Sequence, residues 1–154
     1  APASEREALL IMAAEEGYFS PFQQRVAKGI LGMRDLKAGT VARPVSDYPI
    51  VRLGQPGVTW PAGSRDYRAL VLDEEGRRLV GWVPLAVLWQ GGSFRAVQRR
   101  DLQPVARVEP GMGLDRVYQA LERTGSPFAA MLEGERLAIL DGAGLRQRVM
   151  GADG

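Results

Sequence analysis

Neither cysteine nor histidine occurs anywhere in the 154 residues. Without them there is no disulfide, no thiolate nucleophile and no zinc site built from imidazole and sulfur. A serine or cysteine hydrolase that leans on a histidine base is excluded as well. Proton transfer would fall to Asp, Glu, Lys or Tyr alone, so the chain reads as a non-enzyme. Long apolar runs are missing too. The longest, Ala8 to Ala14, falls well short of the roughly 18 residues that mark a membrane helix. No secretory pattern opens the chain. Ala1 stands where an initiator Met would be, so the expectation is an excised piece of a longer protein.

Excess charge of one sign is equally scarce. Twenty basic against 18 acidic residues leave a net charge of +2, whereas a nucleic-acid reader carries a dense basic face. No nucleic-acid partner is expected. Arg95, Arg99, Arg100 and Arg107 form a loose basic tract with two readings, a solvated strand edge and linker or a phosphate contact. The composition, 45% hydrophobic and 25% charged, is that of an ordinary folded domain rather than a disordered chain. The length suits one domain, or two small subdomains sharing a core.

What the chain does have is a repeat. Residues 69–88, ALVLDEEGRRLVGWVPLAVL, run as apolar strand, acidic turn with glycine, apolar strand and short apolar helix. About sixty residues later the order returns in 129–149, AAMLEGERLAILDGAGLRQRV, which points to a duplicated module. Function is then expected in the cleft between the copies.

Local signals fill in the rest. Ser4 and Glu7 form a capping box for a first helix that ends near Gly17. Ser20, Pro21 and Gln23 start a second, with Phe22, Val26, Ile30 and Met33 on one face. Thr40-Val41 and Ile50 to Leu53 read as short strands. Residues 54–66 keep neither a helical nor an alternating period and read as loop. Tyr67–Leu72 and Leu79–Val83 form a hairpin, and Pro84 opens a short helix ending near Trp89. Phe94–Val97 reads as a returning strand, and residues 99–104 as a linker. In the second copy Val105–Val108 is a strand. Leu114, Val117, Tyr118 and Leu121 mark a helix closed by Gly125. Phe128–Leu132 and Leu137–Leu140 form a hairpin turning at Glu133-Gly134. Asp141 reads as the cap of a last helix, with Leu145 and Val149 facing inward, before a tail at Gly151 to Gly154. Trp60 and Trp82 read as packing residues. Asp73-Glu74-Glu75 reads as a solubilising hairpin tip rather than a divalent-ion cluster, and no metal site is expected. Gly111 to Gly113 is a weak phosphate candidate at a helix start.

Strand, helix, strand, strand, helix in two copies resembles a CBS-domain pair. The leading helices narrow the resemblance to the cytosolic module of the CorC/HlyC (cyclin-M-like) magnesium and cobalt efflux family. There a helical hairpin runs into G-D-x-T-V-x-x-x-M-x-P-R-x-D. Arg34-Asp35-Leu36, Thr40-Val41, Pro44 and Asp47 match in order, while M-x-P-R becomes Ala42-Arg43-Pro44-Val45. Tyr67-Arg68-Ala69-Leu70-Val71 resembles the family's S-R-L-P-V, and Arg100-Asp101-Leu102-Gln103-Pro104 its linker. The resemblance implies an α+β fold, a tandem CBS-domain pair with an N-terminal helical hairpin. Residues 1–34 would be the hairpin, 35–92 a degenerate first motif and 93–154 the second.

It also implies a regulatory module at the cytoplasmic face of the cell membrane, a homodimer joined to the transmembrane domain of the same longer protein. ATP with magnesium would bind between the copies and control ion efflux. Val41, Arg43 and Pro44 would meet the base. Tyr67 and Arg68 would stack and pair a phosphate, as an aromatic face and a guanidinium fork can. Arg99 and Arg100 would add phosphate contacts, and Asp141 a ribose or metal-bridged contact in place of a simple cap. Missing ribose carboxylates favour a structural dimerisation module with a decayed nucleotide site. The family's G-h-h-T-x-x-D reads Gly81-Trp82-Val83-Pro84-Leu85-Ala86-Val87 in the first copy and Ala138-Ile139-Leu140-Asp141-Gly142-Ala143-Gly144 in the second, so the ribose carboxylates are missing from their usual place. The first copy also has residues 54–66 where a helix would follow its first strand.

Overall fold

A three-stranded and a four-stranded sheet share an apolar cluster in the computed structural model, which describes residues 20–145. The expected first helix from Ser4 to Gly17, Val149 and the tail lie outside the described residues. Helix α1 (Pro21–Met33) starts as its sequence predicts. The Ser20 hydroxyl accepts from the Gln23 N–H at 3.1 Å, and Gln23 Oε1 accepts from the Ser20 N–H at 2.9 Å. Ala27 and Met33 are buried, but Phe22 is 49% exposed in the first turn. The expected stripe therefore does not extend to Phe22, whose ring meets the Arg25 guanidinium at 5.9 Å instead.

Thr40-Val41 is not a strand. Residues 38–41 form a short helix, α2 (Ala38–Val41). The N–H groups of Ala38 and Gly39 donate to the carbonyls of Met112 and Pro110, so docking on a distant loop overrides the β-preference of Thr and Val. Strand β1 (Arg43–Pro44) follows, and then β2 (Ile50–Arg52), β3 (Arg68–Leu72) and β4 (Leu79–Pro84). Strand β2 runs parallel to β3, and β3 antiparallel to β4. Pro84 precedes α3 (Leu85–Leu88). The ribbon β5 (Trp89–Gln90) and β6 (Ser93–Phe94) turns on Gly91 and Gly92, both at positive φ. The expected strand 94–97 is thus cut short, although Val97 pairs singly with Leu53.

The second copy repeats the pattern. Strand β7 (Ala106–Arg107) runs parallel to β8 (Phe128–Glu133), which is antiparallel to β9 (Arg136–Asp141). Its crossover is α4 (Leu114–Thr124), closed by Gly125 in the left-handed conformation. In the first copy the crossover is the loop 54–66, as expected. Thr59 of that loop exchanges both backbone hydrogen bonds with Ile50, satisfying a sheet edge without a helix. The copies are also laced together, because β1 adds to the second sheet beside β9.

Each copy has its own core, and a third cluster lies between the sheets. Tyr48, Leu70 and Leu79 there meet Phe128, Ala130 and Ile139. Phe128 is fully buried, edge-on to Tyr48 at 5.5 Å and to Trp82 at 6.0 Å. Removing such a ring from water contributes about 2–3 kcal/mol. Trp82 therefore packs as expected, whereas Trp60 leans on Phe94 at 6.4 Å and stays 43% exposed.

Candidate functional site

The junction between the copies is organised by Arg68, the first residue of β3. Just before the strand, the Asp66 carboxylate turns back onto Arg68, accepting from its Nε at 2.9 Å, its Nη2 at 2.8 Å and its backbone N–H at 3.0 Å. From the opposite side comes Asp141, the last residue of β9. Its Oδ2 accepts from Arg68 Nη2 at 2.7 Å and its Oδ1 from Nη1 at 3.2 Å. The guanidinium lies 4.6 Å from the centre of the Phe128 ring, which adds a cation–π contact beneath it. All three charged side chains are mostly buried.

The electrostatics follow from this packing. Hydrogen bonding to Asp66 first, and to Asp141 after it, raises the Arg68 pKa above its ordinary value despite burial. Burial alone would raise that of Asp66, but the hydrogen bonds from Arg68 outweigh it and the net shift is downward. Tyr48 lies against the same group. Burial, with the Asp141 charge next, pushes its phenol up to about 12, against the opposing pull of Arg43 and Arg68.

The residues nominated from the sequence divide into two places. Arg68 and Asp141 meet at the junction, and with Arg43 their charges act on the Tyr48 phenol. Asp141 also accepts from the Ala143 N–H at 3.0 Å, so its expected role as a cap is real, though only half of its work. Arg43 Nε pairs with Asp47 at 2.8 Å on the surface. Pro44 sits in the ladder beside Ala138, and Val41 packs on the second core. Tyr67 precedes Arg68 with its side chain 74% exposed. Arg99 and Arg100 are elsewhere, on the turn Arg99–Asp101. Arg99 faces the closed tips of the hairpins, whereas Arg68 and Asp141 stand at their open ends, opposite Pro84 and Phe128. A strand of five or six residues, roughly 15–20 Å, separates the two places.

Sequence reasoning missed Asp66, Tyr48 and Phe128. The spacing of Asp66 and Arg68 was an available signal; nothing local marks the other two. Two weaker candidates lose their case. Asp73 accepts from the Arg77 N–H at 2.8 Å and shapes its turn, and no metal-holding cluster of acidic side chains exists among the described residues. At Gly113 a side-chain carbon would lie 2.7 Å from the Asp115 carboxylate, so the start of α4 already holds an anion of its own.

No protein-family model matches this chain, and no curated protein matches it. Solved structures do. It is similar to the CBS domain of a bacterial CNNM/CorC family magnesium transporter, with 16% identity over 98% of this chain and 97% of that one, at a TM-score of 0.70. It is similar to a CBS domain of that transporter family in complex with ATP, with 14% identity over 85% and 99%, at 0.66. It is also similar to a hemolysin-like CBS-domain protein of Oenococcus oeni PSU, with 14% identity over 84% and 98%, at 0.61. The fold is therefore that of a CBS-domain pair, in the α+β form expected from the sequence. Among the described residues no helix is long and apolar enough to cross a membrane.

Proposed function

We propose that the chain is the cytosolic regulatory module of a CorC-like magnesium transporter, and that it responds to an adenine nucleotide bound with magnesium. The observation that carries this reading is the ion pair of Arg68 and Asp141 at the seam between two CBS-like copies. A similar fold is known in complex with ATP. The exposed Tyr67 ring offers a base a face to stack on, and Arg68 is the guanidinium nearest that ring in sequence. Magnesium would arrive on the nucleotide's phosphates, since it is commonly held by one or two carboxylates together with phosphate oxygens. A phosphate has to displace Asp141 from Arg68 to be held there. Binding would then alter the tie between β3 and β9, and a transmembrane domain of the same longer protein, in a homodimer, would read the change. The module itself does no chemistry.

One feature favours a second reading, a structural dimerisation module whose nucleotide site has decayed. Asp66 and Asp141 already satisfy Arg68, and a carboxylate pair repels phosphate. Thermal unfolding with and without magnesium-ATP separates the two. A ligand at a hundred times its dissociation constant adds about 2.7 kcal/mol to stability, so the sensor reading expects a rise in Tm. No shift at millimolar ATP, ADP or AMP rejects it.

A further inference from the structure

Away from Arg68, the closed tips of the two hairpins frame a groove of about 580 Å3. Its walls come from three parts of the chain. Arg77 and Arg78 belong to the first hairpin, Arg99 to the linker, and Arg107, Leu132 and Glu135 to the second copy. Four arginines around one groove stand out in a chain whose whole net charge is +2. Their own partners hold them loosely. Arg77 approaches Glu75, and Arg99 approaches Glu74, only to 3.7 Å, with all four side chains well exposed. Such pairs contribute little and yield readily to a better anion. Arg107 is more fixed, because its Nη2 donates to the Leu79 carbonyl of the other copy at 3.0 Å. Leu132 is 60% exposed and leaves one wall apolar.

We infer that this groove binds a small molecule bearing a condensed phosphate chain, with the arginines on the phosphates and Leu132 against its less polar part. Guanidinium forks match phosphate oxygens in pairs. The volume lies within the roughly 300–1,000 Å3 of small-molecule sites. A chain of phosphates can reach several forks at once, which a single carboxylate cannot. Because both copies and the linker supply the walls, an occupant clamps the hairpin tips together. The site is separate from the Arg68 junction and does not depend on the function proposed for it.

Calorimetric titration of the full chain with inorganic tripolyphosphate, and with ATP free of magnesium, tests the inference. Tripolyphosphate is expected to bind, and more weakly as salt is raised. Arg78→Glu and Arg99→Glu, both exposed positions, are each expected to weaken it by about tenfold or more. Arg123→Glu, an exposed charge reversal at the end of α4 and outside the groove, is expected to leave it unchanged. Tighter binding of ATP than of tripolyphosphate, lost in Arg78→Glu, identifies the occupant as a nucleoside polyphosphate; equal binding identifies the phosphate chain alone. Absence of binding at millimolar tripolyphosphate, binding unaltered by both groove charge reversals in folded protein, or binding weakened as much by Arg123→Glu overturns the inference.

Discussion

Arg68 and Asp141 lie 73 positions apart, yet they form a two-point ion pair at 2.7 and 3.2 Å that ties the opening of β3 to the close of β9. Asp66 completes the group from the other side of the guanidinium. The pair is a polar link across the seam, beside the apolar surface of Phe128 and Tyr48.

Arg68→Ala removes the shared cation and leaves two mostly buried carboxylates facing each other. The expected loss is roughly 2–4 kcal/mol, set more by the stranded charges than by the bonds themselves. Urea denaturation measures it. A loss below about 0.5 kcal/mol would mean that water screens the group as it does an ordinary surface pair.

Acid should weaken the fold through Asp101. Its carboxylate accepts two bonds from Arg95, both at 2.9 Å, and one from the Gln98 N–H at 2.9 Å. These hold its pKa down at about 2, against 3.8 for an unperturbed Asp. The stabilisation is complete above about pH 4 and is lost as the pH falls toward 2. Asp66, also lowered, acts in the same sense. In Asp101→Asn the drop in Tm between pH 5 and 2.5 should be smaller than in the parent chain.

Alkali acts through Tyr48. A phenol near 12 in the folded chain and 10 when unfolded stabilises the fold below pH 10 and ceases to do so as the pH rises toward 12. Tyr48→Phe keeps the ring against Phe128 and removes the titration. Its Tm should fall less than that of the parent chain between pH 9 and 11.5.

Gly81→Ala should be costly although its backbone is ordinary. An added carbon would lie 2.7 Å from the Gln103 carbonyl and 3.3 Å from the Leu102 side chain. The linker presses on β4 here, where Trp82 and Gln103 exchange backbone hydrogen bonds. The substitution should lower stability by about 1–3 kcal/mol through overpacking, seen as an earlier urea midpoint. At the corresponding place in the second copy, Ala138 lies beside Pro44 and its side chain is accommodated.

Much of this fold was legible because its signals are local. The capping box at Ser20 and Gln23 lies within one turn. The periodic apolar residues of α4 and the left-handed Gly125 bound a helix by themselves. The two hairpins and the helix missing from 54–66 were equally readable from alternation and turn chemistry. Thr40-Val41 was misread because its conformation is set by carbonyls some seventy residues away, at Pro110 and Met112. The junction was half legible. Arg68 was singled out for a phosphate and Asp141 as a helix cap or a ribose contact, but not as partners for one another.

The sequence alone determines that this chain has no thiol or imidazole chemistry and that its halves repeat, since composition and periodicity need no folding to be read. Only the tertiary structure decides that Arg68 is held by two carboxylates, that β1 crosses to the other copy's sheet, and that arginines from three segments line one groove. Those arrangements follow from how two sheets close over Phe128. Side-chain charges meet through packing geometry, which local sequence does not encode.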